Sequence, residues 1–260
     1  MNYKIIGDSC IDLTADLKKD PHFQIIPLTL QVGENQIVDD DTFDQKRFLE
    51  LVKNSSESPK SACPSPELYK EAYECEEENV FVITLSEHLS GSYNSAVLGK
   101  KLYEEEHGND GKKIAVLGSD SASSGQLNIA LLVQSLCQAA LPFEEIEQRA
   151  RAFIKNMKTY FVLESLDTLR KNGRLTGLQA FFATALNIKP VMSAESGVII
   201  KLDQARGINK ALIRMVEIAV KNAGDTRDKV LAIAHCNNPE RAEYVKPVSY
   251  THLRAHETAA

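Results

Sequence analysis

Cysteine is sparse and unpatterned in this sequence. Cys10, Cys63, Cys75, Cys137 and Cys236 are scattered, odd in number and form no CxxC pair. That excludes a disulfide framework and a cysteine-built zinc site, and it fits a reduced compartment. Positive charge is also short: 30 Lys and Arg against 36 Asp and Glu leave a formal net charge of −6. This is the wrong sign for nucleic acid or an anionic membrane as the main partner. No apolar run is long enough to span a bilayer, and "MNYKIIGDSC" leads straight into a strand without a signal-peptide core. A cytoplasmic protein without stable membrane insertion is expected. GxGxxG and Walker spacings are missing, "KNGR" at 171–174 included, and no His/Cys set has metal-ligand spacing. No nucleotide, metal or other cofactor is therefore expected. The run Asp39, Asp40, Asp41 lacks the spacing of a calcium loop and reads as a solvated turn or a helix N-terminal charge cluster.

What remains is an ordinary globular composition, 43% hydrophobic and 25% charged over 260 residues, at the size where one domain begins to split into two. Short β-branched runs ("YKII", "QIIPLTLQV", "VFVIT", "KIAVLG", "YFVLES", "KVLAIAH") alternate with stretches of helical spacing. "TFDQKRFLELVKN" places Phe43, Phe48 and Leu51 one or two turns apart, and "SPELYKEAY" opens with Ser65 as N-cap and Pro66 in the first turn. The pattern predicts an α/β fold: a parallel-sheet domain over residues 1–150 and a second, smaller α/β domain over 151–246. The second region holds a short strand pair around Gly197 and a helix over "GINKALIRMVEIAVKNA". Helix "NPERAEYVK" is expected to be interrupted at Pro247. The following "PVSYTHLRAHETAA" (247–260) has no apolar period and reads as a non-native tail, with the natural chain departing near Lys246.

Three strand–loop–helix junctions carry polar clusters: "IIGDSCIDL" at 5–13, "VITLSEHLSGSYNSA" at 82–96 and "VLGSDSASSGQ" at 116–126. In a parallel sheet such junctions share the carboxyl ends of the strands, where ligand sites form. Helices starting there offer N–H groups and a positive dipole end, which together with hydroxyls suit a carboxylate or phosphate. Helix capping explains any one junction; three of one kind point to a shared site. A nucleophile is the rival reading. "GDS" at 7–9 resembles the first block of GDSL-type esterases, with Ser9 as the attacking residue. Such chemistry needs a base, yet no D-x-x-H precedes His235, His88 sits in a polar loop, and no GxSxG elbow is present. Arg174 and Arg206 each adjoin a glycine ("NGR", "ARG") in expected loops, where a fixed cation can meet an anionic group.

The blocks "DSCIDL" (8–13), "IPLTL" (26–30), "SACPSP" (61–66), "LSGSYNSA" (89–96), "SDSASSG" (119–125), "SLDTLRKNGRL" (165–175), "LNIKP" (186–190) and "ARGINKA" (205–211), in this order and spacing, resemble the DegV family of bacterial fatty-acid-binding proteins. The resemblance runs from Lys4 to about Lys246. It implies two α/β domains enclosing a long-chain fatty acid at their junction. It also implies a non-catalytic carrier that presents the acyl carboxylate to an ATP-dependent fatty acid kinase subunit for phospholipid synthesis. Carried over residue by residue, the carboxylate partners are Ser61, from the stretch similar to the family's TSQP, and Ser90, from the stretch similar to its SGT, followed here by Ser92. Asp8 and Ser9 shape the neighbouring loop, and Arg174 and Arg206 serve the partner surface or the phosphorylated head group. "AFFATALNI" and "LNIALLVQSLCQAAL" line the tunnel or form simple core. The chain departs from the pattern at Ala62 and Cys63, which stand where the family has Ser and Gln. It departs again in its tail, where the family carries a glycine-rich segment with a histidine near the head group.

Overall fold

The computed structural model describes residues 1–108, 110–174, 187–195, 197–227 and 229–257, with side chains as far as residue 249. The chain divides into two compact units, Met1–Met157 and Lys158–Ala260.

The first unit is built on four parallel strands: β1 (Tyr3–Asp8), β2 (Phe23–Ile26), β6 (Asn79–Thr84) and β7 (Lys113–Gly118), in the order β2-β1-β6-β7. β1, β6 and β7 are buried along almost their whole length, which is why they read as near-continuous apolar runs rather than alternating ones. Ile5, Phe81, Ile83 and Leu117 face one side, packed with Ile129, Val133, Phe143 and Ile146 of helices α4 (Ser124–Gln138) and α5 (Phe143–Asn156). Ile6, Val80, Val82 and Val116 face the other, packed with Tyr69, Tyr73, Ala96 and Tyr103 of α2 (Pro66–Tyr73) and α3 (Ser92–His107). The result is a three-layer α/β/α sandwich. Ser65 caps α2 by accepting from Leu68 N, with Pro66 in the first turn, as the sequence predicts.

The run "QIIPLTLQV" is two strands rather than one. β2 ends at Ile26, and β3 (Thr29–Val32) lies in a separate antiparallel sheet, β4-β3-β5, with β4 (Asn35–Val38) and β5 (Lys60–Ala62). Pro27 falls in the break; it has no N–H to continue a ladder, and the chain leaves the parallel sheet there. Helix α1 (Gln45–Asn54), capped by Asp44 on Arg47 N, buries no residue fully, although Phe43 and Phe48 pack with ring centroids 5.5 Å apart. Asp40 accepts from Thr42 N and Oγ1 at 2.8 and 2.6 Å, closing an exposed turn.

The second unit has an antiparallel sheet, β10-β9-β8, of β8 (Thr159–Phe161), β9 (Ile188–Glu195) and β10 (Val198–Arg206). The hairpin turn contains Gly197 at φ +75°. A short helix, α6 (Asp167–Lys171), precedes it, and α7 (Ile208–Ala223) and α8 (Pro239–Glu257) follow. Leu212, Val216 and Val220 of α7 form a small core with Val245 and Val248.

Two expectations for this unit fail. "KVLAIAH" forms no ladder, and Val230 and Leu231 are 72% and 53% exposed. Apolar β-branched composition favours extended backbone, but a strand needs a neighbour to pair with. Nor does Pro247 end its helix: it lies inside α8. An internal proline costs roughly 3 kcal/mol by deleting one backbone bond and crowding the preceding turn. Here Val245 and Val248 pack onto α7 on either side of it, and the buried Ser249 hydroxyl donates to Val245 O at 2.9 Å. Among the described residues no helix is long and apolar enough to cross a membrane.

Candidate functional site

The order β2-β1-β6-β7 reverses direction at β1: the chain moves outward from β1 to β2, then returns to the opposite side with β6. The crevice outside the carboxyl ends of β1 and β6 is therefore the switch point of the sheet, where ligands of open α/β folds bind. All three polar junctions meet there.

Asp8, the last residue of β1, is fully buried and is the centre of the meeting. Its Oδ2 accepts from Leu85 N at 2.7 Å, and its Oδ1 accepts from Gln126 Nε2 at 2.9 Å and Cys10 N at 3.2 Å. The nearby Ser92 hydroxyl also favours its charged form. One carboxylate thus ties β1 to the loop after β6 and to the start of α4. Burial raises its pKa above the ordinary aspartate range, and these hydrogen bonds oppose the rise. The same fold points are joined by Ser86 N donating to Ser121 O (2.9 Å) and Ser123 N donating to Cys10 O (3.1 Å).

Ser119, Ser121 and Ser123 are engaged within the fold. Ser119 Oγ donates to Ser121 O, Ser123 Oγ donates to Asp12, and Ser123 with Gln126 forms a capping box on α4. A Cβ at Gly125 would lie 2.0 Å from Ser121 Oγ, so the helix starts pressed against its own loop. At this junction capping is the better reading. Gln126, which both closes the box and holds Asp8, was not among the residues the sequence singled out; its S-x-x-Q spacing was the available signal.

The loop after β6 differs. Leu89 N and Ser90 N both donate to Ser86 O, coiling the chain so that Ser90 precedes α3. Ser90 Oγ accepts from Ser92 N at 3.2 Å and lies 3.1 Å from Ser92 Oγ. Ser92 is fully buried whereas Ser90 is half-buried. Ser92 therefore backs Ser90 from the interior, and Ser90 is the hydroxyl left toward solvent at the start of a 16-residue helix. Ser61 is exposed on β5, opposite Leu30. Two residues on, Cys63 Sγ lies 3.7 Å from Ser95 Oγ and against Gly91, so the "SACP" and "LSGS" stretches touch.

Ser9 has a structural role. Its Oγ accepts from Leu28 N at 3.0 Å and favours the charged form of the nearby Asp39, whose pKa burial nonetheless raises. No histidine meets it among the described residues, and the exposed His88 pairs at 3.8 Å with Glu87. The nucleophile–base pair that an esterase needs is not assembled at Ser9. Burial, reinforced by Asp8, Asp39 and Asp12, pushes the adjacent Cys10 thiol up to about 12, so it is not a thiolate nucleophile near neutral pH.

In the second unit, Arg174 is exposed and donates to Asn172 O at 2.6 Å. Arg206 is the last residue of β10, opposite Ile188, and not in a loop as expected; its side chain is exposed. The expected tunnel stretch "AFFATALNI" falls mostly outside the described residues, while "LNIALLVQSLCQAAL" contributes Ile129, Ala130 and Val133 to the core of the first unit. The described residues bring together one potential metal-binding group, the exposed Glu74, Glu106 and His107. There Lys70 already pairs with Glu106, and His107 Nε2 lies 2.9 Å from Glu74.

The profile of the DegV family matches residues 2–255. A DegV domain-containing protein of Streptococcus pyogenes is 36% identical over 250 residues, covering 94% of this chain and 87% of its own. Two solved structures share the fold. A DegV family protein of Ruminococcus gnavus, solved with vaccenic acid, has 47% identity and a TM-score of 0.93, over 97% of this chain and 90% of its own. The fatty acid kinase B3 protein of Streptococcus pneumoniae, loaded with linoleic acid, has 32% identity and a TM-score of 0.79, over 99% and 89%. By sequence and by fold, this chain belongs to the DegV family.

Proposed function

We propose that this chain is a carrier that binds a long-chain fatty acid and presents its carboxylate to an ATP-dependent fatty acid kinase subunit for acyl phosphate formation. The observation that carries the reading is Ser90, a half-buried hydroxyl at the N-terminus of α3 and at the switch point, with the Ser61 stretch packed against its loop. The ligands of the R. gnavus and S. pneumoniae relatives support it.

Ser90 accepts from Ser92 N, and its hydroxyl can turn from Ser92 Oγ, 3.1 Å away, toward an incoming carboxylate, with Ser61 as the second donor. The positive end of α3 favours the negative head group. Two hydrogen bonds to a carboxylate contribute about 1.5–3 kcal/mol each. An acyl chain of about fifteen CH₂ groups at ~0.8 kcal/mol each contributes on the order of 12 kcal/mol before ordering costs. The tail therefore sets affinity and the serines set the head-group position. A hydroxyl cradle without a fixed cation leaves the carboxylate available for transfer. In this reading Ser92 and Asp8 orient Ser90, Ser9 holds the adjoining turn, and Arg174 and Arg206 serve the partner surface.

Mass spectrometry of an organic extract of the purified protein is the first test, with one long-chain fatty acid per chain expected. Ser90→Ala should then lower acyl phosphate production, in the presence of a kinase subunit and ATP, by at least about tenfold, since it removes a charge-assisted bond worth about 1.5–3 kcal/mol. Retention of the lipid should fall much less. Equal loss of both would show that Ser90 does not have this positioning role.

A further inference from the structure

A Cβ on Gly91 would lie 2.9 Å from Cys63 Sγ. Gly91 has φ −74° and ψ −4°, ordinary right-handed backbone that alanine adopts freely. Glycine is required there for space and not for conformation. Cys63 Sγ fills that space and reaches Ser95 Oγ at 3.7 Å. Behind Cys63 the chain is held: Pro64 is buried with its φ fixed, and Ser65 caps α2. Behind Gly91, α3 packs against α2 so tightly that a Cβ on Gly99 would lie 2.6 Å from Pro66 O. With both helices pinned and Ser61 held opposite Leu30 in the β3–β5 ladder, the freedom left is in how the loop that carries Ser90, directly ahead of Gly91, rests on Cys63, two residues after Ser61.

We infer that the Cys63–Gly91 contact sets the separation of Ser61 from Ser90, which makes Cys63 a positioning residue for a fatty-acid carboxylate held by both hydroxyls. The inference rests on the carrier reading above and adds to it the part that holds the head-group site in register. Neither partner needs to touch the ligand. The thiol acts by volume, as a spacer between two loops that no backbone ladder joins among the described residues.

The test is a suppressor pair, read as acyl phosphate production from linoleic acid by the full-length protein in the presence of a kinase subunit and ATP. Gly91→Ala should lower production by about tenfold while linoleic acid retention falls much less, the effect of overpacking by one methyl group at a tight contact that shifts the head-group register. Cys63→Ala in the same chain removes the colliding sulfur and should return production to within about threefold of wild type. Cys63→Ser alone keeps a small hydroxyl against Gly91 and beside Ser95, and should stay near wild type. Thermal melting of each variant separates loss of register from loss of fold: Gly91→Ala should keep a cooperative transition close to that of wild type. Wild-type production in Gly91→Ala, or a double variant no better than the single one, would overturn the inference and leave the carrier reading standing. A wild-type protein that takes up no linoleic acid and yields no lipid on extraction would overturn the carrier reading, and the inference with it.

Discussion

Replacing Asp8 by asparagine tests how the switch point is held. The carboxylate presents two acceptors, Oδ2 to Leu85 N–H and Oδ1 to Gln126 Nε2 and Cys10 N–H. Asparagine retains only one acceptor. Gln126 cannot turn to accommodate the change, because its Oε1 already accepts from Ser123 N at 3.2 Å. The arrangement that loses least keeps the amide oxygen toward Gln126 and Cys10 and sets the new NH₂ against Leu85 N–H, leaving both of these donors without an acceptor. An unpaired buried group costs about 1–3 kcal/mol, partly offset because a neutral amide is easier to bury than a carboxylate. A net loss of about 2 kcal/mol lowers the melting temperature by roughly 4–8 °C for a chain of this size. The pH dependence carries a sign. Burial raises the pKa of Asp8 in the fold, so between the ordinary aspartate value and the raised one the folded state binds more protons than the unfolded state. Stability from this group falls as pH rises through that window and is flat above it. The asparagine side chain does not titrate and adds no such slope, so the deficit of Asp8→Asn should be largest at the acid end and level off above the raised pKa. Differential scanning calorimetry of both proteins across that range measures it. Unchanged melting, or a deficit that grows with pH, would falsify the assignment of Asp8 as the buried tie between the three junctions.

Ser9→Ala leaves Leu28 N–H without its acceptor and should cost about 1 kcal/mol in denaturant unfolding. It should not alter hydrolysis of a p-nitrophenyl ester; turnover that disappeared in this variant would revive the nucleophile reading. Gly99→Ala gains helix propensity but drives a methyl group to 2.6 Å from Pro66 O and 2.8 Å from Tyr69 Cβ. Backbone cannot move aside as a side-chain end can, so a net loss of about 1–3 kcal/mol is expected. A Gly99→Ala protein more stable than wild type would show that α2 and α3 separate easily.

Much of the first unit was legible in the sequence because its signals are local. β1, β6 and β7 announce themselves as apolar runs because both of their faces are covered, and Ser65-Pro66 marks the start of α2 with residues that act within one turn. The hydroxyl-rich loops behind the parallel strands were expected at one end of the sheet and lie there, since topology alone sends those junctions to one edge. What each hydroxyl does there was not legible. Ser90 and Ser92 are two residues apart and alike in chemistry, yet one is half-buried and the other fully buried, because α3 turns the second inward. Ser119 and Ser121 bond each other, and Ser123 is held by Cys10 and Asp12, more than a hundred positions away. Pro27 sends one apparent strand into two sheets, Pro247 is carried through a helix by valines packed on α7, and "KVLAIAH" has strand composition but no paired neighbour. Capping, periodicity and turn chemistry act between residues a few positions apart, and the sequence by itself determined these. Pairing, burial and the choice between a structural and an exposed hydroxyl depend on which distant segments come to lie alongside, and only the tertiary structure decided those.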